Sequence, residues 1–314
     1  MIRYEGTPED VRSEQLPVVD SGALSANFAC DPTVHGLVIN GAGERVDAVF
    51  PVLHGPWGED GTIQGWLELA NLPYVGSGVL ASALCMDKIV LKTVLRAEGI
   101  PVCDSVAIDD HGWATRREEI VDACQELGDV VFVKPSRAGS SLGITRVEIS
   151  VEGTSALVGA IEAAREQDPR VIVEAAAVGA REIECGVRQH VDGSIHASVC
   201  AEIIVREGFD FYDFEAKYIS DGAHLVVPAD VSVEEADNVA ELAKRCFVAA
   251  GCEGLARVDF FLTDSGLVVN EINTMPGFTP ISMFPRMWEA SGVNYSTLVD
   301  ELVQQALARG SGLR

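Results

Sequence analysis

The stretch that organises this chain reads Gly254-Leu-Ala-Arg-Val-Asp-Phe-Phe-Leu262 and then Gly266-Leu-Val-Val-Asn-Glu-Ile-Asn-Thr-Met-Pro-Gly-Phe-Thr279. The first part is rich in apolar residues and follows a glycine, a pattern typical of a buried strand. Thr263 to Gly266 has the composition of a turn. A second apolar run over residues 267–272 predicts another strand, which Pro276-Gly277 closes. The pattern predicts a β-hairpin.

Four polar side chains interrupt this apolar hairpin. Arg257 and Asp259 are two residues apart and share one strand face, as do Glu271 and Asn273. If the strands pair with these faces aligned, three oxygen ligands converge beside one guanidinium group. Such a set suits Mg²⁺, and an arginine beside it suits developing negative charge. The alternative is a solvent-facing edge, but isolated carboxylates among apolar neighbours are costly.

Composition limits the classes of function. The chain has 314 residues, 47% of them hydrophobic, which is enough for two or three compact units. Its formal net charge of −25 argues against a nucleic-acid partner or an anionic membrane surface. It does not argue against a nucleotide, which a few lysines and Mg²⁺ can hold. There is no apolar run of about 18 residues, so no transmembrane helix is predicted.

The cysteines and the N-terminal residues indicate a cytoplasmic protein. The eight cysteines show neither a C-x-x-C motif nor zinc-site spacing and lie in apolar segments, so reduced core thiols are expected. The first ten residues lack the apolar run of a signal peptide.

Residues 46–75 predict a βαβ unit and hence a parallel sheet. Val46 to His54 reads as a strand, a glycine-rich loop follows, and apolar residues at helical spacing precede the short strand at Pro73. Ligands bind beyond the carboxyl ends of parallel strands, where His54 falls. The alternative is a surface or capping histidine.

A second candidate loop follows the strand that ends at Lys134. Residues 136–143 are rich in Gly and Ser and can expose backbone N–H groups to a phosphate. The loop is not a Walker A sequence, and an ordinary hairpin is the alternative. Upstream, Asp87 is expected to cap a helix from Lys88 to Glu98.

The rest of the chain alternates strands and helices. Asp192-Gly193 predicts a hairpin turn between two strands, and Ser232 with Glu235 predicts a capping box. Residues 207–222 mix aromatic and charged residues without a period, which is typical of a lid or a disordered insertion, and the aromatic residues argue against disorder. Lys217 and Tyr218, at the far end of this loop, are expected to reach a covered site. Other predicted elements are a helix over 152–167, strands over 170–174, 183–191 and 195–205, and helices over 232–252, 282–290 and 295–308.

Five stretches, in fixed order between residues 46 and 310, carry a family resemblance. They are Phe50-Pro-Val-Leu-His-Gly-Pro-Trp-Gly-Glu-Asp-Gly-Thr-Ile-Gln-Gly65, Tyr74 to Lys88, Val133-Lys-Pro-Ser-Arg-Ala-Gly-Ser-Ser-Leu-Gly143, Phe211-Tyr-Asp-Phe-Glu-Ala-Lys-Tyr218, and Arg257-Val-Asp259 with Asn270-Glu-Ile-Asn-Thr-Met-Pro-Gly277. In these stretches the chain resembles the D-alanine–D-alanine ligases of the ATP-grasp superfamily.

The resemblance implies an α/β (α+β) protein with the ATP-grasp fold. An N-terminal parallel α/β substrate domain over residues 1–86 is expected to precede a central domain over 87–182 and a C-terminal catalytic domain over 183–314. Antiparallel sheets of the last two would clamp ATP. The opening strand and glycine loop of the family have no match in residues 1–45, so we expect the N-terminal domain to be incomplete and the chain to begin inside it.

The implied activity is ligation of two D-alanines for peptidoglycan. The first carboxylate attacks the γ-phosphate of ATP to give an acylphosphate, and the second amine then displaces phosphate. Two Mg²⁺ ions are expected, with Mn²⁺ as the alternative, along with a cytoplasmic homodimer and no nucleic-acid or membrane partner. D-alanine–D-lactate ligases lack the aromatic loop, so an amine substrate is favoured. The alternatives are a catalytically impaired ATP-binding homologue and an ATP-grasp ligase for other amino acids.

Roles toward ATP and the metal are carried over position by position. Asp259, Glu271 and Asn273 match the metal ligands. Lys88, Lys134 and Lys217 match the phosphate-facing lysines, and Ser140 and Ser141 match the loop over the phosphates. Glu174 and Ala177 match positions beside adenine, and Glu182 matches the carboxylate near the ribose, although the segment from Glu174 to Glu182 is one residue longer than the usual pattern.

Roles toward the amino acids follow in the same way. Arg257 and the Gly277 N–H resemble the oxyanion site. His54 resembles the contact with the first D-alanine, and Ser282 resembles the group that holds the second carboxylate. Tyr218, together with Ser140, resembles the boundary of the second-substrate pocket.

Overall fold

The computed structural model describes residues 26–33, 36–139, 142–205, 223–279 and 282–312. Four predicted site residues lie outside these ranges, namely Ser140, Ser141, Lys217 and Tyr218, as does the aromatic loop over 207–222. Most of the N-terminal stretch in which the family's glycine loop was sought also lies outside them.

The first described unit is a small antiparallel sheet. Its strands are β1 (Ala26–Phe28), β2 (Gly36–Ile39) and β3 (Ala42–Arg45), in the order β1-β2-β3. Strands β2 and β3 form a hairpin, whose two turn residues, Asn40 and Gly41, have positive φ angles of 49° and 82°.

The prediction of a nine-residue strand over residues 46–54 was wrong. Among the described residues this segment has one parallel bridge, between Val49 and Tyr74, with backbone hydrogen bonds from Val49 to Pro73 and from Val75 to Val49, both 2.9 Å. Beyond the bridge, Val52 and Leu53 donate to carbonyls two residues back, so the backbone turns. The prolines at 51 and 73 also lack the N–H donors that a longer ladder needs.

Three helices follow. They are α1 (Thr62–Leu69), α2 (Val79–Met86) and α3 (Lys88–Ala97). The helix predicted from Lys88 is confirmed, and the Asp87 side chain caps it by accepting from the N–H groups of Ile89 and Val90.

A four-stranded antiparallel sheet forms the middle of the chain, in the order β4-β7-β5-β6. Its strands are β4 (Ser105–Ile108), β5 (Val130–Pro135), β6 (Thr145–Glu148) and β7 (Val171–Ala175). The helices are α4 (Asp110–Thr115), α5 (Arg117–Gln125) and α6 (Ile149–Gln167), and they enclose a core with Trp113, Val131 and Leu157.

A five-stranded antiparallel sheet follows, in the order β10-β9-β8-β11-β12. Its strands are β8 (Arg181–Gln189), β9 (Ile195–Val205), β10 (Ala223–Val226), β11 (Leu255–Thr263) and β12 (Gly266–Asn273). Helix α7 (Val233–Ala249) crosses its face, and its predicted Ser232–Glu235 capping box is present. Helices α8 (Met283–Ala290) and α9 (Tyr295–Arg309) complete the described chain.

The core of the five-stranded sheet also receives side chains from helices earlier in the chain. Ala81 and Cys85 of α2 and Leu91 and Leu95 of α3 pack with Phe247 of α7 and the sheet. The eight cysteines are free thiols, six of them buried, as predicted for core residues. In the described part of the chain, no helix has the length and apolarity needed to cross a membrane.

Candidate active site

A cleft of about 840 Å³ lies between the four- and five-stranded sheets. Side chains of β5 and β7 line one wall, and those of β8, β11 and β12 line the other. Every predicted site residue that the structure describes lines this cleft. These residues are His54, Lys88, Lys134, Glu174, Ala177, Glu182, Arg257, Asp259, Glu271, Asn273, Gly277 and Ser282.

The hairpin that organises the sequence pairs with its polar faces aligned, as predicted. Arg257 lies opposite Asn273, and Asp259 lies opposite Glu271, with a register shift immediately after Asp259. The Arg257 guanidinium donates two hydrogen bonds of 2.7 Å to the Asp259 carboxylate. The Asn273 amide donates to the same carboxylate at 3.0 Å. Arg257 and Asn273 therefore hold the Asp259 carboxylate in one orientation at the cleft.

A third carboxylate joins this group from the neighbouring strand. Glu184 of β8 lies opposite Asp259 of β11, and its Oε1 is 3.3 Å from Arg257 Nη2. Burial disfavours the charge on Arg257, but Asp259 and Glu184 outweigh burial and hold the pKa of Arg257 above its ordinary value. The guanidinium therefore stays charged where anionic groups would enter.

The hairpin suits a hard divalent cation. It offers two carboxylates, Asp259 and Glu271, and one amide, Asn273, on a shared face. Among the described residues no group of three His, Cys, Asp or Glu side chains forms a metal site on its own. Mg²⁺ takes few protein ligands and completes its coordination with water and phosphate oxygens, so this donor set fits it.

The opposite wall is basic. Lys134 Nζ of β5 lies 2.6 Å from one Glu174 carboxylate oxygen, and Lys92 Nζ of α3 lies 2.9 Å from the other. Burial alone would raise the pKa of Glu174, but the two lysines lower it to about 2. Burial likewise opposes the charge of Lys134, and Glu174 raises its pKa in spite of that. We call Lys92, Glu174 and Lys134 the lysine–glutamate triad.

The N-terminus of α3 is tied to the predicted phosphate loop. Asp87 accepts a hydrogen bond of 2.7 Å from the Ser136 hydroxyl, and the Lys88 N–H donates to the Ser136 carbonyl at 3.0 Å. The Lys88 ammonium donates to the Ala138 carbonyl at 2.8 Å. The described part of the loop is thus held to the helix that carries Lys88.

Glu59 and His54 lie where the two walls meet. One carboxylate oxygen of Glu59 accepts a hydrogen bond of 2.8 Å from the Gly55 N–H. Burial, reinforced by the charge of Glu271, raises the pKa of Glu59 to about 7 in spite of that bond. The His54 ring places Nδ1 3.0 Å from the Met275 carbonyl oxygen.

The segment after β12 brings Gly277 and Ser282 together. A Cβ at Gly277 would lie 2.6 Å from Ser282 Oγ, so only glycine fits there without a shift. Ser282 precedes α8, but its hydroxyl accepts a hydrogen bond of 3.0 Å from the Thr279 N–H and does not cap the helix. Gly277 and Ser282 therefore line the same cleft as Asp259, Glu271 and Asn273.

Ala177 and Glu182 lie on the segment that links the two sheets. The Ala180 N–H donates to the Ala177 carbonyl at 3.2 Å, which forms a turn before β8 begins. Glu182 lies on β8 opposite Phe261 of β11. Ala177 and Glu182 both line the cleft.

Sequence reasoning missed three charged residues of the site. Lys92 lies four residues after Lys88, beside the buried Leu91, so a lysine in an apolar helical stripe was the available signal. Glu59 lies within the quoted H-G-x-x-G-E-D-G motif but was given no role. Glu184 lies two residues from Glu182 on β8 and therefore shares a strand face with it, which was the available signal.

A nucleotide-sized cleft between two antiparallel sheets, with cations on one wall and a carboxylate hairpin on the other, defines an ATP-grasp ligase fold. Solved structures with this arrangement include the VanG D-Ala:D-Ser ligase of Enterococcus faecalis, at a TM-score of 0.80 and 37% identity over 91% of this chain and 81% of that one. The D-alanine–D-alanine ligase of Coxiella burnetii has a TM-score of 0.77 and is 34% identical, over 97% of this chain and 78% of that one.

Residues 25–77 match the family described as D-ala D-ala ligase N-terminus, and residues 94–304 match D-ala D-ala ligase C-terminus. A D-alanine–D-alanine ligase of Nocardia farcinica is 56% identical over 96% of this chain and 82% of its own length. A D-alanine–D-alanine ligase of Mycolicibacterium smegmatis is 51% identical over 100% of this chain and 85% of its own length. The chain belongs to the D-alanine–D-alanine ligase family.

Proposed function

We propose that this protein joins two D-alanines into D-alanyl-D-alanine for peptidoglycan synthesis, with conversion of ATP to ADP and phosphate. The observation that carries the proposal is that the Asp259–Glu271–Asn273 hairpin and the wall that contains Lys134 face each other across one cleft. The names of the relatives, at 56% and 51% identity, support the same reaction.

The reaction proceeds in two displacements. A carboxylate oxygen of the first D-alanine forms a bond to the γ-phosphorus of ATP, and the bond to ADP breaks. The amine of the second D-alanine then attacks the acyl carbon, phosphate leaves, and the amine loses a proton. Both steps develop negative charge on oxygen. Arg257 and the Gly277 N–H lie at one end of the metal hairpin and stabilise that charge.

Divalent metal ions support this chemistry by neutralising phosphate charge. Asp259, Glu271 and Asn273 would hold them. We propose two Mg²⁺ ions, with Mn²⁺ as the alternative, because the donors are all hard oxygen atoms.

The basic wall binds the nucleotide. Lys88 and Lys134 present ammonium groups to the phosphates from α3 and β5. Lys217, Ser140 and Ser141 are proposed to complete this contact. Glu174 and Ala177 would lie beside adenine, with Glu182 near the ribose.

The amino acids bind at the hairpin end of the cleft. His54 would contact the first D-alanine, and its ring is held by the Met275 carbonyl. Ser282 would hold the carboxylate of the second, and Tyr218 with Ser140 would shape the second pocket.

We further propose a three-part division into residues 1–86, 87–182 and 183–314. The β1–β3, β4–β7 and β8–β12 sheets fall one to each part, apart from the first two residues of β8. A cytoplasmic homodimer is proposed as the working form, which light scattering after gel filtration tests directly.

The decisive experiment measures phosphate release from Mg²⁺-ATP by the full chain, with and without D-alanine. We expect release that depends on D-alanine, with D-alanyl-D-alanine identified by mass spectrometry. Replacing half of the D-alanine with D-serine tests the second site, since one structural neighbour is a D-Ala:D-Ser ligase.

Two outcomes would contradict the proposal. Nucleotide binding without D-alanine-dependent release would indicate an impaired homologue. Release driven by other amino acids, with no D-alanine-containing product, would indicate a different ATP-grasp ligase.

A further inference from the structure

The lysine–glutamate triad combines residues with different access to the cleft. Lys134 and Glu174 line it, whereas Lys92 approaches Glu174 from α3 with only 1% of its surface exposed. Each carboxylate oxygen of Glu174 is within ion-pair distance of a different lysine, at 2.6 and 2.9 Å. Lys92 is therefore placed to act on the cleft only through Glu174.

The charge of the triad depends on this third member. Two ammonium groups and one carboxylate leave a net charge of one positive unit. Without Lys92, the pair of Lys134 and Glu174 would be neutral, and Lys134 would offer an entering phosphate no net charge. A buried lysine is costly unless it is paired, so its presence behind the wall needs a reason beyond packing.

We propose that Lys92 is a positioning residue for ATP: it balances Glu174 from behind, so that Lys134 keeps a net positive charge facing the polyphosphate. The position of Lys134 also depends on the shared carboxylate, which holds its ammonium group 5.7 Å from the centre of the Phe132 ring. This inference rests on the proposed use of ATP, but it concerns nucleotide binding and not ligation.

The test compares the affinities of ATP and AMP by calorimetry in Lys92→Met, Glu174→Gln and the double variant. Lys92→Met should weaken ATP binding by about tenfold, because the remaining pair of Lys134 and Glu174 then has no net charge. AMP, which carries fewer phosphate charges, should change by about twofold or less. The double variant again has one net positive charge, on Lys134, so its ratio of ATP to AMP affinity should return to that of the wild type.

Arg96→Met provides a matched control. Arg96 is a cation on the same helix, bound to the Cys103 carbonyl and the Ser105 hydroxyl, and it is exposed. Its loss should leave the affinity ratio unchanged. Lys92→Arg, which keeps the charge, should retain most of the ATP affinity.

A merely structural Lys92 would give a different result. ATP and AMP would weaken together in Lys92→Met, and the double variant would bind ATP no better than the single one, which would overturn the proposal. If Lys92→Met does not fold, Glu174→Gln and the double variant carry the test, because they differ only in the Lys92 charge. A ratio of ATP to AMP affinity about tenfold higher in Glu174→Gln supports the charge balance, and equal ratios in the two variants overturn it. Phosphate release by the wild type with D-alanine is measured separately, so failure of the ligase proposal is distinguishable from failure of this one.

Discussion

The two walls of the cleft are built in opposite ways. The acidic wall is built around one hairpin, in which Arg257, Asp259, Glu271 and Asn273 lie within 17 consecutive residues and are brought together by strand register. Glu184 joins them from the adjacent strand β8. The basic wall comes from separate elements of the chain. Its triad takes Lys92 from a helix, Lys134 from one strand and Glu174 from another.

The side chains of the hairpin are therefore positioned by local strand pairing, whereas those of the triad are positioned by tertiary packing. The hairpin orients its own charges, because the Arg257 guanidinium and the Asn273 amide both bind Asp259. The triad is oriented only when Lys92 of α3 meets Glu174 of the four-stranded sheet. We therefore expect substitutions in the hairpin to affect chemistry with little effect on folding, and substitutions around α3 to affect binding and stability together.

The largest effect is expected for Glu271→Ala. It removes a carboxylate that we propose as a metal ligand from a self-contained hairpin, so turnover should fall by roughly a thousandfold or more while the fold is retained. D-alanine-dependent phosphate release and the thermal unfolding midpoint measure the two effects. Asp264→Ala, in the exposed turn of the same hairpin, is the control and should leave both unchanged. Normal turnover in Glu271→Ala would remove the metal-site assignment.

Arg257→Lys tests whether the hairpin needs geometry as well as charge. Lysine keeps the positive charge but cannot make two bonds to Asp259. We expect kcat to fall by about 300-fold, with a small change in the KM for ATP.

Arg188→Lys is the matched control for this substitution. Arg188 is a buried arginine of the same sheet that pairs with Glu301 and stacks on Trp288, at 4.4 Å. It lies opposite Leu255, at the start of β11, and does not line the cleft. Its kcat should stay near that of the wild type. A kcat for Arg257→Lys within about threefold of the wild type would mean that charge alone is sufficient.

The same contrast explains what the sequence could predict. The hairpin was predicted with its correct facing because polar residues at a spacing of two, on apolar strands joined by a short turn, leave few ways to pair. Asp87 was predicted as a cap because a cap acts within one turn. Lys92 was missed because its partner lies 82 residues away at Glu174, and no local pattern reports a tertiary ion pair.

The strand predicted over 46–54 shows a second limit. The apolar composition of this segment is typical of a strand, but composition does not show whether a neighbouring strand is available for pairing. In the described residues the segment pairs only at Val49. The roles of Lys217 and Tyr218 rest on the family resemblance alone, because they lie outside the described residues.

The pKa of Glu59 depends on burial and on charges from both walls of the cleft, namely Glu271, Arg257 and Lys88. Its pKa is about 7 in the folded protein against an ordinary value of 4.5, through burial and the charge of Glu271, so the folded state binds the proton more tightly. The stability that this group contributes is present below about pH 4.5 and is lost as the pH rises to about 7. Over that window wild-type stability should fall, relative to Glu59→Gln, by about 2 kcal/mol after allowance for partial exposure.

Urea unfolding at several pH values between 4.5 and 7.5, in EDTA, measures this difference. Parallel stability curves for the two proteins would show that Glu59 titrates normally. The double variant with Glu271→Gln sharpens the test, because removal of the neighbouring charge should narrow the pH window.

The smallest effect is expected for Asp87→Ala, which weakens the attachment of α3 to the basic wall. It removes the cap of α3 and the hydrogen bond from Ser136, so we expect a loss of about 1.5 kcal/mol in unfolding free energy. Because Lys88 and the phosphate loop depend on the same contact, the KM for ATP should also rise, by about threefold. Asp109→Ala removes the exposed cap of α4, which accepts from the Gly112 N–H at 2.7 Å, and should cost about 1 kcal/mol without changing that KM. Equal effects of the two substitutions on the KM for ATP would show that the basic wall does not depend on how α3 is anchored.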